Sequence, residues 1–402
     1  MKNIPEIRIK GFEGEWKEKQ LKDVCEVNPS TSVPDRFEYV DLESVVGTTM
    51  VKHRTEEKAT APSRAQRHAK YNDIFFQTVR PYQKNNYLFQ KKEDNYVFST
   101  GYAQLRANIN PEYLFIILQS TSFVNQVLLN CTGSNYPAIN PSALSNIDIN
   151  ITESDVEQQS LGSFFSSFDR LLSDHHRRLE NLRRVKKSML QKMFPQQGQT
   201  VPEIRFKGFS GEWKEIKLGD VGKTISGVGF PNKEQGGKHG IPFYKVSDMN
   251  NKGNETMMIN ANNYVTKQQI EKYHWKVCED VPAIFFAKVG AAIFFDRKRL
   301  VTTPCLFDNN TMVYCLDKEF WDATFCLKLF EHIKLSSLSQ VGSLPSFNGT
   351  AVESISVLIP SKAEQHLIGS FFTSLDNLIN DEVNYIDQLT RVKSTLLQEM
   401  FV

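Results

Sequence analysis

Apolar residues between Glu157 and Phe194 fall at Leu161, Phe164, Phe168, Leu171, Leu179, Leu182, Val185, Met189 and Met193. Most steps are three or four residues, so these positions form one stripe on a helix. The remaining faces carry charge, as in Arg177-Arg178, Arg183-Arg184 and Lys186-Lys187. No glycine or proline follows Gly162 until Pro195, which lacks the donor the next turn would need and so ends the predicted helix at 157–194. Residues 364–401 repeat the pattern at an offset of 207: Gly-Ser-Phe-Phe at 162–165 recurs at 369–372, and Arg184-Val185-Lys186 recurs as Arg391-Val392-Lys393. From Glu157 to Pro195, 18 of 39 positions are identical to their counterparts. A lone amphipathic helix of this length needs a partner, and the chain supplies its own duplicate.

A second repeat frames the first. Residues 4–24 match 201–221 at 15 of 21 positions, at an offset of 197, from Pro5-Glu6-Ile7-Arg8 and Pro202-Glu203-Ile204-Arg205 onward. The order is short motif, variable block and helix, then the same three again, joined by the polar linker Gln196-Gln197-Gly198-Gln199-Thr200. The expected division is 1–156, a helix at 157–194, a linker at 195–200, then 201–362 and a second helix at 363–402. The blocks, roughly 25–156 and 222–362, read as mixed α/β. The strand signal Asp73–Val79 aligns with Ile284–Val289, and Pro137-Ala138-Ile139-Asn140 with Pro345-Ser346-Phe347-Asn348. Alternating strands follow both, at 147–151 and 355–359. Both blocks are therefore expected to share one fold with divergent loops.

Composition sets the outer limits. The chain of 402 residues is 40% hydrophobic and 23% charged, in the range of an ordinary globular protein of two or three domains. Its six cysteines (25, 131, 278, 305, 315 and 326) show no metal-ligand spacing and read as reduced thiols. There is no apolar leader and no run of 18 apolar residues, so a cytoplasmic location with no membrane contact is expected.

Net charge is only +2, so a nucleic-acid role requires local clusters. Residues 52–94 hold ten Lys/Arg against five Asp/Glu, and residues 233–300 hold eleven against seven. In the first block Arg64, Arg67 and Lys70 share a face if that segment is helical. Arg80, Tyr82, Lys84, Asn85 and Asn86 follow a strand signal, where a loop is expected. In the second block the candidates are Lys238, His239, Lys288, Arg297, Lys298 and Arg299. Cations that neutralise phosphates, beside Asn and Arg that read base edges, suit a DNA groove. A solvated charged face is the bland alternative, and a coiled-coil scaffold joining two protein-binding domains is the competing function class.

Catalytic motifs do not complete themselves. Pro34-Asp35 and Glu56-Glu57-Lys58 have the spacing of a metal-dependent nuclease, but residues 51–58 are too polar for the core strand such a motif needs. Gly222-Lys223-Thr224 ends like a phosphate-binding loop whose first glycine would stand at Lys217. Asn28-Pro29-Ser30-Thr31 lacks the second proline and the aromatic of an amino-methyltransferase motif. His175 and His176, adjacent on a helix, diverge by about 100° and make no metal pair. No catalytic residue and no bound metal are expected.

The doubled E-I-R-x-x-G-F-x-G-E-W-K-E motif, each copy followed by a variable block and then E-Q-x-x-x-G-S-F-F…R-V-K…L-Q-x-M-F, resembles the specificity subunit of a type I restriction-modification enzyme. The resemblance covers the whole chain. It implies two pseudo-symmetric target recognition domains separated by two long helices that pair as an antiparallel coiled coil. It implies double-stranded DNA, two methyltransferase subunits and motor-nuclease subunits as partners. S-adenosylmethionine, ATP and Mg²⁺ would then belong to those partners, and catalysis with them. No DNA-contacting residue carries over from the family by position.

Two expectations concern the helices. A helix of 38 residues is about 57 Å long, so modules at its two ends would reach half-sites around one turn of DNA apart. His175 and Glu382 are equivalent under the offset of 207, interrupt the apolar stripe, and lie at the midpoints of 157–194 and 364–401. A symmetric antiparallel pairing sets them face to face. A hydrogen bond there would fix the register, because slipped pairings bury an unmatched polar group.

Overall fold

The computed structural model describes residues 3–133, 135–339 and 344–401. The chain forms two compact units, Met1–Leu179 with Glu382–Val402, and Glu180–Asp381. This division differs from the five segments expected from the sequence, because each unit takes half of each long helix. The helices span Asp155–Lys192 and Lys362–Glu399, each starting and ending two residues earlier than the pattern suggested. Ser154 Oγ accepts the Glu157 N–H at 3.3 Å, and Ser361 Oγ accepts that of Glu364 at 3.4 Å, which accounts for the earlier starts. The central helix ends before Pro195 because Met193 and Phe194 turn into the core of the second unit.

In the first unit a four-stranded antiparallel sheet runs in the order Cys25–Val27, Tyr102–Ala107, Asp73–Gln77, Tyr87–Leu88. A second sheet contains Arg54–Glu57, Arg36–Val40, Tyr96–Ser99 and Ala65–His68 in that order. The strand Asp73–Gln77 is buried on both faces, which explains its unbroken apolar run. Ile74 and Phe76 pack into the cluster that also holds Tyr113, Phe165 and Phe401. Phe75 points the other way and stacks on Phe98, with ring centroids 3.6 Å apart.

The second unit repeats this plan. Ala283–Ala287 lies in the sheet Gly222–Ser226, Thr311–Leu316, Ala283–Ala287, Lys298–Val301, again buried on both faces. Ile284 and Phe286 enter one cluster and Phe285 another. The strand expected at 147–151 is Asp148–Ile151 and pairs with Lys17–Gln20, and Ser356–Ile359 pairs with Lys214–Lys217 in the same way. Asn140 and Asn348 each cap a short helix through the side chain.

Both units contain antiparallel helix pairing. In the first, His175 meets Glu382, Asp169 meets Lys393, and Phe165 lies 5.7 Å from Phe401 between centroids. In the second, Lys186 meets Asp376 at 2.7 Å and Phe194 lies 6.4 Å from Phe372. Adding 207 to Asp169 and Lys186 gives Asp376 and Lys393, so the two ion pairs are one contact used twice. The apolar stripe is only partly covered: Leu161 and Leu179 are buried, but Phe164, Leu171 and Val185 are exposed, and Phe165, outside the expected stripe, is buried in place of Phe164. Leu378 and Val392, the equivalents of Leu171 and Val185, are exposed as well. A straight helix drifts away from a strict heptad seam, so one stripe supplies more apolar surface than one partner can cover.

The repeated short motif is a clamp on the helix start. Arg8 pairs bidentately with the buried Glu157 at 2.7 and 2.8 Å and donates to Gly14 O at 2.5 Å. Arg205 does the same to Glu364, at 2.6 and 2.7 Å, and to Gly211 O at 2.5 Å. The glycine of Gly-Ser-Phe-Phe is a contact residue. A Cβ on Gly162 would stand 2.9 Å from Asn110 Oδ1 and 3.0 Å from Tyr113 N, where the helix crosses the start of a neighbouring one.

Candidate nucleic-acid interface

A 3₁₀ turn follows the doubly buried strand in both units. In the first it is Arg80 to Asn86, with a 3₁₀ turn at Pro81–Gln83 between two left-handed residues, Arg80 (φ 54°) and Lys84 (φ 53°). The Arg80 N–H donates to Pro137 O at 2.7 Å, which fastens the turn to the segment 135–138. In the second it is Gly290 to Asp296, with a 3₁₀ turn at Ala291–Phe295, and Gly290 N–H donates to Pro345 O at 2.8 Å. Gly290 and Asp296 also have positive φ, 83° and 51°. Arg80 thus stands at the place of Gly290 and Lys84 at that of Asp296, but the second turn is two residues longer and opens in a different conformation, so equivalent places carry different backbone and different chemistry.

At the first turn, the Arg80 guanidinium lies 4.4 Å from the centroid of the Tyr136 ring, and both Tyr82 and Tyr136 are exposed. Lys84 does not face solvent as a loop cation would. Its ammonium donates to Gln119 O at 2.8 Å, and burial together with the nearby Lys393 lowers its pKa. Asn85 Oδ1 accepts the Gly47 N–H at 2.8 Å, and the buried Asn86 accepts the Gln77 N–H at 2.8 Å. Residues 84–86 hold the turn in shape instead of facing solvent as a free loop. The helical face expected for Arg64, Arg67 and Lys70 is absent too: Ala65–His68 is a strand, flanked by turns. Arg64 and Lys70 are exposed. Arg67 is half-buried, its Nε has no hydrogen-bond partner, and burial lowers its pKa.

In the second unit Lys238 and His239 are exposed just before the strand Ile241–Tyr244. Lys288 is half-buried without an ion pair or side-chain hydrogen bond among the described residues, and burial lowers its pKa. Arg297 is exposed, bonded to Asn250 Oδ1 and 5.0 Å from the Phe295 ring centroid. Lys298 and Arg299 are tied into the fold by local partners. The buried Lys298 ammonium pairs with Asp296 at 2.7 Å and donates to Ile333 O at 2.8 Å. Arg299 donates to Asn254 O at 2.5 Å and Lys298 O at 2.8 Å, and burial lowers the pKa of both cations. Sequence reasoning missed Tyr136, Phe294 and Phe295, all exposed at these turns. A Phe-Phe pair after a strand reads as core, and only the 3₁₀ geometry, which buries Ile293 instead, turns both rings outward.

Nothing at these turns resembles a catalytic constellation. Asp35 immediately precedes the strand Arg36–Val40, which pairs with the edge strand Arg54–Glu57, where Arg54 holds Glu56 at 2.7 Å and Arg36 lies 3.6 Å from Glu57. Gly222-Lys223-Thr224 lies within a strand, not ahead of a helix. Among the described residues no cluster of three or more His, Cys, Asp or Glu could hold a metal ion, and no helix is long and apolar enough to cross a membrane.

Residues 13–184 and 210–391 each match the type I restriction modification DNA specificity domain. The chain belongs to this family. Two archaeal relatives, the MjaVIII and MjaIX specificity subunits of Methanocaldococcus jannaschii type I restriction enzymes, are 22% and 21% identical over 71% and 72% of this chain and 68% of each relative. The HindI specificity subunit of Haemophilus influenzae is 25% identical over 37% of this chain, which spans only 34% of that protein. The fold is shared with the S subunit of a type I system from M. genitalium (TM-score 0.64, 15% identity, 99% of both chains). It is shared also with a chain from a structure on complex assembly and conformational transition of the type I R-M system (TM-score 0.56, 20% identity, 95% of this chain and 96% of that one). Both specificity domains of the family match include the strand and turn described above, so the divergent turns lie inside the shared frame.

Proposed function

We propose that the chain is the DNA-reading subunit of a type I restriction-modification complex, each unit reading one half of an asymmetric, bipartite target. The observation that carries this reading is the pair of 3₁₀ turns at equivalent places in the two units, each tied to the same downstream segment and different in length and side chains. A frame that places unlike residues at like positions suits two readers of unlike half-sites. On the first turn and its surroundings, Arg80, Arg64 and Arg67, whose Nε has no hydrogen-bond partner, are the strongest candidates for DNA contact. On the second, Lys288, Arg297 and Lys238 are. Methyl transfer and cleavage would belong to two methyltransferase subunits and to motor-nuclease subunits, with S-adenosylmethionine, ATP and Mg²⁺ bound there. Leu171, Val185, Leu378 and Val392, left exposed on both helices, suit docking of the methyltransferase subunits. The paired helices would fix the unread spacer.

The test is methylation mapping. With cognate methyltransferase subunits the chain should direct adenine methylation to one bipartite sequence, and exchanging residues 25–156 for a relative's block should change one half-site and leave the other intact. Simultaneous change of both half-sites would overturn independent reading. Methyl transfer by the purified chain alone would overturn the division of labour. Binding to duplex DNA that does not weaken with salt would favour a protein scaffold instead.

A further inference from the structure

Each recognition turn carries two exposed aromatic rings with an arginine against one of them. In the second unit these are Phe294 and Phe295, 63% and 67% exposed, with Arg297 over Phe295. In the first they are Tyr82 and Tyr136, 50% and 64% exposed, with Arg80 over Tyr136. The residues differ in type and, for Tyr136, in the segment that supplies them, so the arrangement does not follow from duplication of a motif. We infer that these rings enter the DNA base stack, Phe294 and Phe295 as a wedge at one base step of the second half-site. The inference rests on the DNA-reading assignment above and adds a mode of contact to it.

Three features favour a base step over a protein surface as the occupant. The wedge is held rigidly: Ile293 is buried beneath it, Gly290 is tied to Pro345, and Asp296 is held in its left-handed conformation beside the buried Lys298 ammonium. A side chain that must separate stacked bases needs such a backing. Arg297 is exposed against Phe295, and Lys288, two residues ahead of Gly290, has no ion pair among the described residues; such cations suit a phosphate-lined groove and not an apolar protein interface. Finally, an arginine over the ring leaves the other face open to a base, and aromatic rings stack on any base, which suits a scaffold shared by two different readers.

The experiment uses the complex of the chain with its methyltransferase subunits and a duplex carrying the mapped target. 2-Aminopurine is placed in turn at each position of the half-site assigned to the second unit. Wild-type complex should raise the fluorescence several-fold at one step and bind about ten-fold tighter when that step carries a mismatch, which prepays the unstacking. Phe294→Ala/Phe295→Ala should abolish both effects and keep the salt slope, the unfolding midpoint and recognition of the first half-site. Phe294→Trp/Phe295→Trp should restore them. A wild-type complex that binds the target with silent 2-aminopurine throughout overturns the wedge alone. Failure of the wild type to bind duplex DNA overturns the underlying reading with it. Loss of methyltransferase association in the alanine variant would assign the rings to a protein contact and overturn the wedge.

Discussion

Arg8 and Arg205 show how much one side chain can organise here. Each joins a short motif to the first turn of a long helix, and each faces a glutamate that is buried. Burial alone would raise the pKa of Glu157, yet it lies below the ordinary glutamate value because the hydrogen bonds and charge of Arg8 outweigh desolvation. A carboxylate held below its unfolded value stabilises the fold above the ordinary glutamate range and loses that contribution as pH falls through the lowered value. Arg8→Met should therefore destabilise the first unit by about 3 kcal/mol at neutral pH, since it strands a buried charge. The loss should shrink as pH falls, because without Arg8 burial raises the pKa of Glu157, which then protonates in the folded state and removes the stranded charge. Urea unfolding at two pH values checks both. The pair His175–Glu382 poses the opposite case. Their Nδ1 and Oε1 atoms are 2.6 Å apart, with Tyr385 packed on the imidazole at 4.5 Å and Arg178 at 3.5 Å from the second carboxylate oxygen. Arg178 and Tyr385 are themselves equivalent under the offset of 207, so each helix gives its partner the same two positions. Replacing His175 and Glu382 together by leucine should leave stability equal or higher, because a paired polar group is removed whole. What should loosen is the register, read as methylation of targets with altered spacer length. Unchanged spacer selectivity would show that the ion pairs on either side suffice.

At the scale of elements, the glycine of the Gly-Ser-Phe-Phe repeat sets how closely helix meets domain. At Gly369 a Cβ would fall inside contact distance of Thr324 Oγ1 and 2.7 Å from both Asp322 Oδ1 and the Phe325 nitrogen. Those atoms form the cap of the helix Ala323–His332, where Asp322 Oδ1 accepts the Phe325 N–H at 2.9 Å. Gly369→Ala should cost about 1–3 kcal/mol despite the better helix propensity of alanine, and more than Gly162→Ala, where the contacts are looser. Equal costs in thermal unfolding would refute this account. The long helices, their equivalence and the strand after each block were legible in the sequence because their signals are periodic or repeated. The turns were legible only as locations. Lys84, Asn85, Asn86, Lys298 and Arg299 read as surface cations and amides, but the left-handed backbone and the local carbonyls turn them inward. Partners of that kind are set by tertiary approach, which residue type does not encode. The Asp169–Lys393 and Lys186–Asp376 pairs were hidden for a different reason: the offset exposes equivalence, not which equivalent residues meet.

At the scale of the whole molecule, the duplication closes on itself. In the second unit the short motif follows the central helix directly. Ile204 N–H donates to Lys192 O at 2.9 Å, Trp213 N–H donates to Thr200 O at 2.9 Å, and Trp213 lies 5.9 Å from Phe194. In the first unit the N-terminal motif repeats these contacts: Ile7 N–H donates to Glu399 O at 3.0 Å and Trp16 lies 5.7 Å from Phe401 at the end of the C-terminal helix, while Trp16 N–H donates to Asn3 O at 2.7 Å within the motif's own segment. One junction is covalent and the other is packing alone, yet their geometry is equivalent. From Lys192 to Ile204 the chain takes 12 steps, and joining Val402 to Met1 would give 10 from Glu399 to Ile7. A permutant joined there through two added residues and opened between Gln197 and Gly198, in an exposed linker, is therefore expected to fold. Its unfolding free energy should lie within about 1 kcal/mol of the parent. With cognate methyltransferase subunits it should direct methylation to the parent's sequence and spacer. A folded permutant that lost that sequence would show that target choice requires covalent continuity across 195–200 and not the clamp of motif on helix alone.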